Sequence, residues 1–242
     1  MNRQRHIAVI LPHPDDEGII AGTLAAHVHE GTAITYACLT LGEMGRNMGN
    51  PPFASRATLP IIRKGELEEA CRRIGIRDLR MWGYHDKTIE FEDEEKLADR
   101  IEALLAEVEP ECVYTFYPGY SVHPDHDATG AAVVRAVGRM PAAKRPRVLC
   151  IAIAAGREKL LGPADEVHDV SDYVEQKIHA IHAHKSQVRH LLGGGTLDDP
   201  AFRARYSRER FWTYRFPGEG EGARVIGEAE LVQLASPGPE GR

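Results

Sequence analysis

Hydrophobic residues in this chain fall into short dense runs, and between the runs they return every three or four positions. Five runs, His6 to Leu11 (HIAVIL), Thr32 to Leu41 (TAITYACLTL), Leu79 to Trp82, Cys112 to Tyr117 (CVYTFY) and Val148 to Ala155, are largely apolar and rich in β-branched or aromatic residues. They predict strands, the first, second and fourth of them buried and the third short. Between them the spacing turns helical. Glu17 to Glu30 sets Ile19, Ile20, Leu24 and Val28 near one face and stops at Gly31. Ile61 to Gly75 is amphipathic, Asp93 to Val108 carries the stripe Leu97, Ile101, Leu104 and Leu105 before Pro110, and Asp127 to Met140 follows the fourth strand. Strand and helix alternate, which predicts an α/β fold: a Rossmann-like, mostly parallel sheet with helices on both faces and right-handed crossovers.

The C-terminal part reads as an elaboration of that core. Ser171 to Leu192 has the pattern of one long helix, with Asp172 and Glu175 spaced as a capping box, and His179, His182, His184 and His190 read as part of a mostly solvated face. Gly193 to Gly195 breaks it, Pro200 to Arg210 is a short basic helix, and Arg210 to Phe216 a late strand. From Pro217 the composition turns to Gly, Glu and Pro, so residues 1–216 are expected to form one domain and 217–242 a loose tail, with Arg224 to Leu234 a candidate edge strand. Gly42 to Pro60 has neither periodicity. A connection that long inside a compact domain is usually functional, and its Gly, Asn, Met and Arg residues suggest a segment that covers substrate.

Composition narrows the classes. With 242 residues, 43% hydrophobic and 27% charged, the chain matches an ordinary soluble globular protein. A net charge of −6 gives no broad basic surface for nucleic acid. The apolar runs are too short to span a bilayer and no signal-peptide h-region opens the chain, so no membrane partner and a cytoplasmic location are expected. Cys38, Cys71, Cys112 and Cys150 include no C-x-x-C pair and read as reduced, buried thiols. No G-x-G-x-x-G follows the first strand, which argues against a dinucleotide.

Two stretches carry candidate chemistry. His13-Pro14-Asp15-Asp16-Glu17 leaves the first strand, and Pro118-Gly119-Tyr120-Ser121-Val122-His123-Pro124-Asp125-His126-Asp127 leaves the fourth. Both are proline-stiffened turns with histidine and aspartate, placed where open α/β sheets bind ligands. Neutral imidazole and carboxylate suit a divalent ion, with one carboxylate binding metal while its neighbour serves as base for water. His13, Asp16 and one of His123 and His126 would make a three-ligand set. A plainer reading makes Asp15, Asp16 or Asp125 a helix cap and Glu17 a first-turn acid.

At this point the sequence resembles the LmbE-like, or PIG-L-like, zinc-dependent N-deacetylases of sugar substrates. The resemblance rests on the two motifs, on Thr40-Leu41-Gly42-Glu43 and on Arg63 with Glu66, and covers roughly residues 6 to 190. The loop from Leu41 to Ala54 and the run from Phe116 to His123 are similar to the bacillithiol-pathway deacetylases. The resemblance implies zinc, or another first-row divalent metal, on His13, Asp16 and His126. It implies Asp15 as general base and His123 facing the reacting carbonyl, with Asp125 orienting it. The implied substrate is a small N-acetylated sugar, N-acetylglucosaminyl-malate, and the implied assembly a homo-oligomer, trimer or hexamer. Malate's carboxylates make Arg46, Arg56 and Arg63 candidate substrate contacts. Some relatives place a tyrosine two residues before His123, where this chain has Ser121; Tyr120, one position earlier, is the candidate to assist the oxyanion. Alternatives are another acetylated sugar, a bacillithiol-conjugate amide, a non-catalytic metal-binding protein, and an Fe(II) oxygenase using the same two histidines and carboxylate.

Overall fold

In this computed structural model, residues 4–188, 192–193 and 195–218 are described. Their strands are β1 (His6–Leu11), β2 (Ala33–Thr40), β3 (Asp78–Tyr84), β4 (Cys112–Phe116), β5 (Arg147–Ile151), β6 (Glu166–Asp169) and β7 (Arg208–Thr213). They pair in the order β3-β2-β1-β4-β5-β7-β6. The first five in that order are mutually parallel, whereas β7 runs antiparallel to both β5 and β6. The expected mostly parallel α/β sheet is therefore the observed one.

The helices are α1 (Ala21–His29), α2 (Leu59–Ile74), α3 (Glu94–Val108), α4 (Pro124–Arg139), α5 (Arg157–Leu161), α6 (Val174–Ile181) and α7 (Pro200–Tyr206). Residues along β1 alternate between two cores, as successive side chains must. Ile7, Val9 and Leu11 join Tyr36, Tyr114, Phe116 and Phe211 under α1 and α2, on which α6 packs. Ala8 and Ile10 join Val113, Val148 and Cys150 under α3 and α4. The order reverses direction between β1 and β4, so the loops leaving those two strands meet at the switch point of the sheet.

Several boundaries differ from the expectation, each for a local reason. α4 begins at Pro124 and not at Asp127, because proline is suited to the first helical position and the His123 side chain caps the turn by accepting from Asp125 N. Asp125 and His126 consequently lie in the first turn of a helix. The long helix expected from Ser171 is broken: a 3-10 turn, Ser171–Tyr173, leads into α6, which stops at Ile181, and residues 182–187 run as turns. No capping box forms at Asp172; Asp169 accepts from Ser171 N at 3.0 Å instead. The basic helix ends at Tyr206 and the late strand begins at Arg208, two residues early. β6 and α5 are too short for periodicity to reveal. The candidate edge strand Arg224 to Leu234, most of the tail, and His190 lie outside the described residues. All four cysteines are buried and unpaired, and burial pushes the Cys112 thiol up to about 12. No helix among the described residues is long and apolar enough to cross a membrane.

Candidate active site

The loop after β1 is tied down before its first functional residue. Thr40 N and Thr40 Oγ1 both donate to Pro12 O at 2.9 Å, fixing the turn to the end of β2. His13 N donates to Asp16 Oδ2 at 2.8 Å, which folds that carboxylate back beneath the imidazole. Asp15 sits between them in the left-handed region, with φ 95°, and neither aspartate side chain caps the 3-10 turn that follows. The cap reading of this motif therefore fails. A non-glycine residue held at positive φ costs on the order of 1–3 kcal/mol and is typical of functional turns.

The second motif arrives on α4, which approaches β4 closely enough that a Cβ at Gly130 would sit 2.3 Å from the Phe116 carbonyl oxygen. That approach lays the His126 ring flat on Phe116, with centroids 3.9 Å apart and planes within 5°. His126 Nε2 then lies 3.2 Å from His13 Nδ1 and 3.2 Å from Asp16 Oδ1, and His13 Nδ1 lies 3.4 Å from Asp16 Oδ2. Ligand atoms around a tetrahedral ion with bonds of about 2.0–2.1 Å stand roughly 3.3 Å apart. Two imidazole nitrogens and a carboxylate converging at that spacing fit a divalent metal.

Groups of donor atoms close enough to share an ion also include His13 with His123 and His126, and His13 with Asp86 and Asp125. The donors of these two groups are engaged in different ways. His123 Nδ1 already accepts from Asp125 N at 3.2 Å. Asp125 Oδ2 and Asp86 Oδ1 stand 3.0 and 3.2 Å from the far nitrogen of His13, Nε2. Carboxylates there hold the proton on Nε2 and leave Nδ1 free to bind an ion. Burial disfavours a charge on His13, but Asp125, Asp16 and Asp86 outweigh it and raise its pKa well above the usual value. Burial also opposes ionisation of Asp16, yet His126 and His13 hold its pKa below the ordinary range.

Asp15 and His123 flank this cluster. Arg63 Nη2 donates to Asp15 Oδ2 at 2.9 Å and to Pro14 O, and Arg63 Nη1 donates to Gly42 O at 2.8 Å. Burial pushes the Asp15 carboxyl up to about 6, Arg63 opposing and Asp16 adding to the shift. The His123 ring meets that of His13 edge-on at 4.7 Å. Its pKa is lowered by burial and then by His13 and His126. Since Nδ1 is an acceptor, the neutral ring carries its proton on Nε2.

The other sequence candidates are placed differently. Asp125 does not turn its carboxylate to His123: it bonds His13 and accepts from Lys87 N at 2.7 Å and Ile89 N at 3.1 Å. Arg63 is 4% exposed, so its guanidinium serves the protein's own loops. Arg56 Nη1 closes onto Glu43 O and Gly45 O, which shapes the long loop. Arg46 is exposed on that same loop. Tyr120 packs into the core with its ring 5.5 Å from Tyr117.

Three groups escaped the sequence reading. Asp86, beyond β3, also accepts from Met44 N at 2.8 Å and so joins the long loop to His13. Its signal was positional, a carboxylate at the carboxyl end of a strand in the same sheet. Glu17 and His184 are each fully buried and paired, so His184 is no part of a solvated helical face. Next to it, Ser186 N and Oγ both donate to Glu66 at 2.7 Å, and Ser186 O accepts from Gly49 N of the long loop.

Residues 8–137 match the protein family described as PIG-L, GlcNAc-PI de-N-acetylase. The chain is 49% identical over 218 residues to the probable N-acetyl-alpha-D-glucosaminyl L-malate deacetylase 2 of Bacillus cereus, covering 88% of this chain and 99% of that protein. The chain belongs to the PIG-L family. Among solved structures, the PIG-L chain is similar to the N,N'-diacetylchitobiose deacetylase of Pyrococcus horikoshii, with TM-score 0.66, 22% identity, and 87% and 84% of the two chains covered. It also superposes on GalB, the 4-carboxy-2-hydroxymuconate hydratase of Pseudomonas putida, with TM-score 0.67, 17% identity and coverage of 90% and 98%. Those two likenesses establish the fold and leave the reaction to the site. Both motifs lie inside the matched PIG-L residues, whereas His184 lies beyond them and folds back onto Glu17.

Proposed function

We propose that this PIG-L family member hydrolyses the N-acetyl group of N-acetylglucosaminyl-malate, giving acetate and glucosaminyl-malate, a step of bacillithiol biosynthesis, with zinc as its metal. The observation that carries the reaction is the meeting of His13, Asp16 and His126 at ligand spacing with Asp15 and His123 alongside. The similarity to the Bacillus protein, over nearly its whole length, supports the substrate. Two imidazoles and a carboxylate suit zinc and also admit other first-row divalent ions.

A divalent metal bound by these three residues supplies a Lewis acid that acidifies water and polarises a carbonyl. The chain's own groups do the rest. Asp15, with Oδ2 held by Arg63, takes a proton from the attacking water. As the carbonyl carbon gains the water oxygen, His123 Nε2–H donates to the developing oxyanion. Cleavage of the C–N bond needs a proton on the departing amine, which protonated Asp15 or His123 supplies. An amide is a poor electrophile with a poor leaving group, so both services are required.

Arg46 is the candidate to meet the malate carboxylates, because Arg63 and Arg56 are engaged within the protein. The long loop that carries it is proposed to cover the sugar, and a cytoplasmic homo-oligomer belongs to the same proposal. The test is acetate release from N-acetylglucosaminyl-malate beside N-acetylglucosamine and diacetylchitobiose. Strong preference for the malate conjugate is expected. Arg46→Ala should raise KM about tenfold for that conjugate, the scale of one charged hydrogen bond, and leave KM for N-acetylglucosamine unchanged. Equal turnover of all three sugars would discard the malate assignment.

A further inference from the structure

One enclosed polar cluster lies directly behind the Asp15 turn. Glu17 and His184 are both 0% exposed, and they pair through Glu17 Oε1 and His184 Nε2. The second oxygen of Glu17 accepts from Asp15 N at 3.0 Å and from Tyr36 Oη at 3.3 Å. A buried ion pair is a poor device for stability alone, since apolar side chains of the same volume often serve as well. What this one does, and an apolar pair cannot, is to grip the backbone N–H of a residue held in the left-handed region.

We propose that Glu17 and His184 are a positioning pair for Asp15. Asp15 is held at two points: Arg63 holds its carboxylate and Glu17 holds its amide. His184 fixes the Glu17 carboxylate from the other side. Without the pair, the Asp15 peptide is free to turn toward commoner backbone conformations, which swings the carboxylate away from the attacking water. The residues responsible come from distant parts of the chain, so the turn after α6 is a functional part of the site. This inference rests on the deacetylase reading, in which Asp15 is the base.

A double-mutant cycle tests it, using metal-loaded full-length protein: wild type, Glu17→Ala, Asp15→Ala and the double variant, each measured for kcat, KM and metal affinity. Glu17→Ala is expected to lower kcat about 10- to 100-fold, the scale of a misplaced catalytic group, with KM and metal affinity unchanged. In the Asp15→Ala background the same substitution should cost nothing further. Glu17→Gln, which keeps an oxygen for Asp15 N–H, should recover most of the lost kcat. If Glu17→Ala does not fold, His184→Phe takes its place in the cycle, keeping ring volume while removing the partner, with the same non-additivity expected. Losses that multiply in the double variant, or an unchanged kcat, overturn the positioning role. A wild type that releases no acetate from any acetylated sugar overturns the deacetylase reading itself, so the two failures are distinguishable.

Discussion

At the scale of single residues, the two adjacent aspartates are suited to different work because their surroundings differ. Asp16 faces two imidazole nitrogens, whereas Asp15 faces a guanidinium and the open side of the cluster. Removing each should therefore fail differently. Asp16→Ala and His126→Ala are expected to lose the metal, read as a large fall in affinity by chelator competition. Asp15→Ala should keep the metal and lose roughly 10²- to 10⁴-fold in turnover, the usual contribution of a general base. Equal metal loss in all three variants would contradict the division of roles. Both aspartates were legible as a pair in the sequence, since their motif follows an apolar run and stands in proline-stiffened company. Asp86 and His184 were not legible as partners of the motif, because their contacts with His13 and Glu17 are made across the fold.

Whole elements are held around the site by a few buried polar contacts. Glu209 of β7 is 3% exposed and accepts from Gly22 N at 3.0 Å, Thr23 N at 2.8 Å and Lys177 Nζ at 2.6 Å. One carboxylate thereby joins β7, the first turn of α1 and α6. Glu209→Ala leaves the Lys177 charge buried without its partner, which costs about 3–5 kcal/mol. For a chain of this size the melting temperature should fall on the order of 10 °C. A thermal shift of a degree or less would show that the contact is dispensable. Here sequence and structure diverge most. The first five strands and first four helices were legible because dense apolar runs alternate with helical stripes along that part of the chain. β6 has four residues and α5 five, too few for a period. The break after α6 was hidden because its polar residues, His184, Ser186 and Gln187, look solvated in sequence and are buried by partners far away in the chain.

The whole molecule is an α/β sheet whose switch point gathers loops from four strands, and the likeness to a hydratase shows that such a fold does not dictate its reaction. Away from that edge, burial has its own consequence for stability. His27 is 1% exposed, with Nε2 2.9 Å from Tyr114 Oη. Burial, reinforced by nearby His168, depresses its pKa from 6.5 to about 4. In the folded state the ring stays neutral to lower pH than in the unfolded chain, which takes up its proton first. Its contribution is complete above about pH 6.5 and is lost as pH falls toward about 4, by roughly 3 kcal/mol at most. Denaturant midpoints measured across that range should decline less steeply in His27→Gln, which still offers Tyr114 a partner. Parallel curves would contradict this.

The hydrolytic reaction requires that the two motifs form one site. Acetate release from N-acetylglucosaminyl-malate, followed with zinc-loaded wild type, chelator-treated wild type and zinc-loaded Asp15→Ala, tests it most directly. Turnover by the first alone, restored to the second by adding zinc back and not restored to the third, is the predicted result. Undiminished hydrolysis by the chelated protein or by Asp15→Ala, or none by the zinc-loaded wild type, would contradict it.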